Sequence, residues 1–435
     1  MAQNWRDGSL GRIFQNLGWL LAGKGVGAVL SLVYLALAAR TLGPRGFGEF
    51  TLITGGAQAV AAFVTFQTWQ IVVRYGLPHL RAGNRDAAAR LGGFCLAIDL
   101  GAALAGCVVA TLAVWWLSDR LGWPRGLARE GLGFSFVILL TTRSTAVGIL
   151  RLHDRFGTGA AADAVTPITR FAGALVVVAV GSTVGGFLLA WTAGEILTAA
   201  AYWLAVARVV PGGLLWPTRQ RLQTAVRENP GIWHFTWMTN LNTTLDQGSK
   251  QAVVLLVGLA AGATGAGQYR LASQLTQALA RISDMASRAM FSELARAHSG
   301  GSGHEFRHLI LRAAALAAGA GAVIMLVLLV LGRPLLHLIG GSAYLGVYPL
   351  LVLLGLASAL DLASVVFEPT LVAMGRAGRA LWVRIGASLA LFALLGATLP
   401  LYGTMGAAAA VLAASTIALL LFAVAVWRAV TASGR

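Results

Sequence analysis

Apolar runs of about 20 residues or more recur along the whole chain, separated by short gaps that are hydrophilic or rich in glycine. Each run is long enough to cross a hydrocarbon core of about 30 Å as a helix. The runs fall at 15–39, 46–73, 91–117, 131–150, 158–180, 183–208, 232–257, 265–291, 308–331, 346–373, 380–400 and 403–427. They predict an all-α polytopic membrane protein with twelve transmembrane helices. Ten-residue alternating segments are missing, which argues against an outer-membrane barrel. No small-residue cleavage site follows the first run, so it reads as a retained helix rather than a signal peptide.

Two of the gaps share a rhythm. Residues 39–50 read ARTLGPRGFGEF and residues 258–269 read GLAAGATGAGQY. A shift of 219 residues sets Gly43, Gly46, Gly48, Phe50, Leu52, Gln58 and Ala59 against Gly262, Gly265, Gly267, Tyr269, Leu271, Gln277 and Ala278. The glycines, with Pro44, predict a tight turn that admits close helix packing, and the aromatic is expected to anchor its helix at the membrane interface. A weaker echo pairs GILRLHDRF, from Gly148, with TLVAMGRAG, from Thr370. The echoes read as a duplication: two parallel six-helix lobes related by a pseudo-twofold axis along the membrane normal, an arrangement used by transporters. The expected domains are 1–208, a linker at 209–231, and 232–435. The basic linker, WPTRQRLQTAVREN at its centre, reads as cytoplasmic, either an interfacial helix or a solvated, orientation-setting loop. Residues 77–90 carry the same pair of readings.

Composition sharpens this picture. The chain is 57% apolar and 11% charged, with a mean hydropathy of +0.74, which no ordinary soluble domain shares. Its net charge of +17 would suit a nucleic-acid partner, but no basic block occurs and the arginines lie in the gaps. Nucleic acid is therefore not an expected partner. With the N-terminus inside, one side receives only Arg40, Arg45, Arg120, Arg125, Arg129 and Arg333, and most remaining arginines fall on the other. The positive-inside rule then places both termini in the cytoplasm. Cys95 and Cys107 lie about 18 Å apart along one helix, too far for a disulfide with each other, and read as small packing residues.

Residues 304–308, HEFRH, match the zincin pattern H-E-x-x-H in form, but residues 313–332 offer no third ligand. Neither a metal site nor an enzyme is expected, no cofactor is implied, and no Walker motif offers a nucleotide as direct driver.

ARTLGPRGFGEF after the first run, and LDQGSKQAVVLLVGLAAGATGAGQYRLASQL across the seventh and eighth, resemble the polysaccharide flippases of the multidrug/oligosaccharidyl-lipid/polysaccharide (MOP) superfamily, the Wzx-like O-antigen and exopolysaccharide transporters. The resemblance extends over the chain in helix number and two-lobe layout. It implies export of an undecaprenyl-pyrophosphate-linked oligosaccharide from the inner to the outer leaflet of a bacterial inner membrane. It also implies contact with membrane lipids and with polysaccharide polymerase and export machinery. Twelve runs rather than fourteen make the lipid II flippases less similar. The same plan is shared by cation-coupled multidrug antiporters of the MATE branch, which would present acids to their cavity.

The resemblance further implies that helices one, two, seven and eight line the cavity, and their polarity suits that. The eighth run carries Arg270, Gln274, Gln277, Arg281, Asp284 and Arg288 at spacings of 4, 3, 4, 3 and 4, one stripe of a helix. The seventh carries Asn240, Thr243, Gln247 and Lys250 on one face, with Asp246 one step round. A charge facing lipid costs about 2.5–3.5 kcal/mol on an insertion scale, so such a stripe marks a hydrated wall. Among 33 basic residues only Lys24 and Lys250 are lysines, one in the first helix of each half. With Arg270, Arg281 and Arg288 they are candidate ligands of a pyrophosphate, and Asn240, Gln274 and Gln277 candidate sugar contacts. The plain alternative is an accident of composition, with Lys250 bridging Asp246 at helical spacing. Asp99, Asp163 and Glu195 read as partners of Arg143 and Arg170. Asp361 and Glu368, seven apart on one helix with no cation in the same run, are candidates with Asp246 for binding a coupling ion.

Overall fold

The computed structural model describes the main chain of residues 4–118, 125–298, 303–374 and 376–433. Side chains are described from residue 26 onward, excepting 281–309, 430–433, Leu117, Arg125, Gly212, Asn242, Thr243, Asp246, Pro369, Val372, Ala373 and Ala377. All regular elements among the described residues are helical. Among the described residues, nine helical stretches are long and apolar enough to cross a membrane. Three of them, Val26–Arg81, Gln247–Ala280 and Gly378–Ala429, are divided by a glycine with non-helical angles: Gly43, Gly262 and Gly403. Counting both sides of each division gives the twelve helices that the apolar runs predict.

The chain forms two compact units, one made of Met1–Leu42 with Ile53–Gln251, the other of Gly43–Leu52 with Ala252–Arg435. The first contains most of α1 (Asn4–Val64), then α2 (Thr68–Arg81), α3 (Arg85–Leu117), α4 (Arg125–Leu140), α5 (Ser144–Leu152), α6 (Phe156–Val180), α7 (Val184–Ala207), α8 (Gly212–Leu215), α9 (Arg219–Glu228) and the start of α10 (Ile232–His298). Polar residues start several of these: Asn84 Oδ1 accepts from Ala87 N at 3.0 Å and Thr183 Oγ1 from Gly186 N at 3.1 Å. One apolar core joins Ile71, Leu91, Phe94, Ile149, Val206, Leu215, Ala225 and Ile232. It gathers the gaps at 82–84, 153–155 and 208–231 at the same end of the unit, as alternating up and down helices require.

The second unit holds the remainder of α10, α11 (Gly303–Gly340), a short 3-10 helix (Ser342–Val347), α12 (Tyr348–Ser364), α13 (Phe367–Ala373) and α14 (Ala377–Ser433). It also holds both copies of the glycine motif. Gly43 has φ 67° and ψ 179°, Gly262 φ 71° and ψ −177°, a region open essentially to glycine alone. The 219-residue shift therefore superposes conformation as well as letters. Five residues on, a Cβ on Gly267 would lie 3.0 Å from the Pro44 carbonyl oxygen, and one on Gly48 would collide with the Ala263 carbonyl. The shift carries Pro44 onto Ala263 and Gly48 onto Gly267, so these are one contact met from both sides, as a local twofold axis demands. Phe50 and Tyr269, expected at the membrane interface, are instead buried, at 2% and 5% exposure. Phe50 stacks on Phe47, which meets Tyr344 edge-on, so the close crossing turns the aromatics into the core of the unit.

Candidate functional site

Two carboxylates are buried in the first unit, and each is held in its own way. Asp99, on α3, accepts from Thr68 Oγ1 at 2.9 Å, from Thr145 Oγ1 at 2.7 Å and from Thr145 N at 3.1 Å. Thr68 opens α2 and Thr145 is the second residue of α5, so two helix N-termini converge on one carboxylate. Both helices follow breaks, at residues 65–67 and 141–143, inside runs that the sequence presents as continuous. Trp69 N donates to Ser144 Oγ at 3.2 Å and Trp203 Nε1 to the Thr142 carbonyl at 3.0 Å. Side chains thus answer backbone groups that the breaks leave without helical partners.

Glu195, on α7, takes both expected cations: Arg143 Nη1 at 2.6 Å and Arg170 Nη2 at 2.5 Å. The Arg170 guanidinium also lies 3.8 Å from the centre of the Trp191 ring. Of the three acids expected to answer these arginines, only Glu195 does so. Asp99 is given to the threonines, and Asp163 accepts from Tyr202 Oη at 2.7 Å. Helix ends and a phenol supply what arginines were expected to supply.

The polar face of α10 begins in the same unit. Asn240 is buried, and its Oδ1 has no hydrogen-bond partner among the described residues. Gln247 and Lys250 are exposed on the unit. Thr244 Oγ1 donates to the Ala62 carbonyl at 3.1 Å, and Gln251 Nε2 to Gln58 Oε1 at 2.9 Å, fastening α10 to α1 through polar groups. Gln58 belongs to the repeat; the sequence reading assigned it no contact.

In the second unit Arg270 and Gln274 come together. With the amide oxygen facing the guanidinium, Gln274 accepts from Arg270 Nε at 3.1 Å and Nη2 at 2.9 Å, one helical turn apart. Gln277, the next of the stripe, is half-buried. Asp361 and Glu368 do not share an unbroken helix, because α12 ends at Ser364 and α13 begins at Phe367. Glu368 is paired with Arg384 Nη2 at 2.7 Å. Arg384 lies within the run 380–400 and Glu49 within 46–73, and neither was singled out from the sequence; Glu49 accepts from Arg45 Nε at 3.3 Å. The side chains of Lys24, Asp246, Arg281, Arg288 and the HEFRH segment lie outside the described residues. Among the described residues no group of three or more His, Cys, Asp or Glu is arranged to hold a metal ion.

Comparison with known proteins agrees with this architecture. Residues 37–349 match the family model described as polysaccharide biosynthesis protein. The inner membrane protein YghQ of Escherichia coli K12 is 27% identical over 355 residues, covering 79% of this chain and 97% of that protein. An inward-facing multidrug resistance MATE family transporter of the MOP superfamily superposes with a TM-score of 0.71 at 14% identity, covering 93% of this chain and 95% of the other. The lipid II flippase MurJ, in an inward closed conformation, superposes with a TM-score of 0.67 at 14% identity, covering 94% and 87%. At these identities the structures share a fold with this chain, the MOP fold.

Proposed function

Because the chain belongs to the polysaccharide biosynthesis protein family, we propose that it is an inner-membrane flippase for a lipid-linked oligosaccharide. The observation that carries the reading is the family match over residues 37–349. The substrate is an undecaprenyl-pyrophosphate oligosaccharide, moved from the cytoplasmic to the periplasmic leaflet for surface polysaccharide synthesis. Lys24, Lys250, Arg270, Arg281 and Arg288 hold the pyrophosphate, with Asn240, Gln274 and Gln277 as polar contacts to sugar. The Arg270–Gln274 contact supports this by setting a cation and a neutral amide side by side on one helical turn. Asp246, Asp361 and Glu368 remain the candidates for a coupling ion, of which Glu368 already has a cation beside it. The relative's location in an inner membrane supports the same location here, with six helices on either side of linker 209–231 and both termini cytoplasmic. Transport follows alternating access, the prenyl tail staying in lipid while the head group changes sides.

In a strain lacking the protein, lipid-linked oligosaccharide should accumulate on the inner leaflet, and wild-type protein should restore outer-leaflet delivery. Lys250→Glu and Arg270→Glu should insert normally and fail to restore it. Normal delivery in the deletion strain would overturn the function. Full complementation by both charge reversals, with export of a cationic dye, would favour a multidrug antiporter.

A further inference from the structure

The end of the first unit that gathers the arginine-rich gaps carries a groove of about 570 Å³. Its walls are Phe94, Ala97 and Ile98 of α3, Leu222 and Val226 of α9, and Trp233 at the start of α10. Phe94 and Trp233 meet edge to face with ring centres 5.4 Å apart. The rim is polar only at Gln223 and Arg227. We propose that this groove binds one anionic diacyl phospholipid, with an acyl chain against α3 and the phosphate on Arg227.

The case starts with α9. It is amphipathic: Ala225 is fully buried, Leu222 and Val226 are half-buried against α3, while Arg219, Gln223 and Arg227 line the exposed side at four-residue intervals. This exposed stripe contains no acid. Glu228, the only acid of α9, is committed to Arg90 at 2.5 Å. Arg221 is committed as well, donating to the carbonyls of Gly213 and Leu214 at 2.9 Å each. Arg227 makes no ion pair or hydrogen bond among the described residues, and it stands at the mouth of the apolar groove.

Trp233, a wall of the groove, is 48% exposed, and Trp237, one turn further along α10, and Trp216, just before α9, are exposed at 60% and 71%; this suits the interface between head groups and chains, where indole is favoured. A short amphipathic helix with arginine outward and an apolar flank at that level faces lipid rather than water. The charge complement decides which lipid. Arg227 is the one guanidinium lining the groove, and with a neutral amide one turn away it matches the single charge of a phosphodiester, bound bidentately. A pyrophosphate, with at least two charges, would lack a second cation at the mouth, because Arg221 is already used and Arg219 stands two turns away along α9. The proposal does not depend on the transport reading, since nothing in it requires the head group to cross the membrane.

Native mass spectrometry of the purified full-length protein in detergent, titrated with palmitoyl-oleoyl phosphatidylglycerol or its phosphatidylcholine counterpart, tests it. Both lipids offer a phosphodiester, but the choline ammonium offsets it in the second, so the anionic lipid should bind about 5- to 10-fold more tightly, as expected for one arginine beside a net negative charge. Arg227→Gln, an exposed change that leaves the α9 cap and the Arg90–Glu228 bridge in place, should remove that preference. Val226→Trp, which fills the groove, should weaken both lipids. Equal binding of the two lipids to wild type, a preference that survives Arg227→Gln, or displacement of phosphatidylglycerol by a tenfold lower concentration of a prenyl pyrophosphate would each overturn the proposal. Arg227→Gln alone decides the matter if Val226→Trp does not fold.

Discussion

In the first unit the chain leaves its helix at residues 141–143 and resumes at Ser144; in the second it does so at residues 365–366 and resumes at Phe367. Both breaks interrupt the fourth apolar run of their half. The 222-residue offset between GILRLHDRF and TLVAMGRAG carries 141–143 onto 363–365, so the interruptions stand at nearly equivalent places. Their support is not equivalent. The first is enclosed: Asp99 caps α5, Arg143 within the break is fixed by Glu195, and Trp203 takes the Thr142 carbonyl. The second rests on a half-exposed ion pair, Glu368 with Arg384, the acid in the first turn of α13 where the helix dipole favours it. The two halves share the discontinuity and differ in the chemistry that holds it, a network around two buried acids in one and a half-exposed pair in the other.

The largest effect should come from emptying the enclosed side. Glu195→Ala removes a buried acid, with 11% of its side chain exposed, that two part-buried guanidiniums share, and breaking such a cluster costs about 3–5 kcal/mol. Fluorescence-detected size exclusion after a heating series should show most of the folded protein lost at temperatures that wild type survives. If the variant melts with wild type, the first break is not held by its charges.

Asp99→Ala follows. It strips the acceptor from two buried hydroxyls and one backbone N–H, and a buried group left unmade costs about 1–3 kcal/mol. Asp99→Asn keeps one carbonyl oxygen and should recover at least half of the lost melting temperature. Equal losses in both variants would mean that the negative charge, rather than the hydrogen bonding, holds the two helix ends.

The glycine turns supply the case in which the halves should behave alike. Gly43→Ala and Gly262→Ala each force a side chain into a backbone region open essentially to glycine alone, at about 1–3 kcal/mol. Neither position has anything within 4 Å of an added Cβ, so conformation alone sets the cost. Melting shifts that agree within error are expected; a large inequality would show that the two turns, identical in angles, differ in what they support.

These turns were legible in the sequence for the reason that makes them alike. A backbone conformation reserved for glycine leaves glycine at a fixed spacing, and a shift of 219 residues finds it. Helix number was legible because a hydrocarbon core imposes length on every run. The first helix break was not: Thr-Thr-Arg at 141–143 contains neither glycine nor proline, and the carboxylate that caps the next helix lies 46 residues away in the chain. The second has a local signal that was passed over, Pro369, which withholds the N–H that a continuous helix would give to the Val365 carbonyl. That second break undid the reading of Asp361 and Glu368 as neighbours on one face, which assumed an unbroken helix; the cation beside Glu368 comes from another run, as Arg384. Asp99 shows the limit most clearly: an intramembrane acid beside unpaired arginines in a list of residues looks like their partner, yet two helix N-termini hold it instead.

The smallest expected effect bears most directly on the comparison. Glu368 and Arg384 keep 37% and 30% of their side-chain surface, so their attraction is screened and their ordering costs entropy. Glu368→Gln and Arg384→Gln should each lower stability by about 1 kcal/mol or less, with a coupling of the same size in the double-mutant cycle. Beside about 3–5 kcal/mol at Glu195, that difference would mark the first break as architecture and the second as a joint that can open. The proposed coupling role adds a second readout. If Glu368 exchanges Arg384 for an ion during transport, Glu368→Gln should abolish complementation of the deletion strain while leaving the melting temperature almost unmoved. A coupling above about 3 kcal/mol, with transport and stability falling together, would instead make the pair a structural brace like its counterpart, and would leave Asp246 and Asp361 as the remaining acids for a coupling ion.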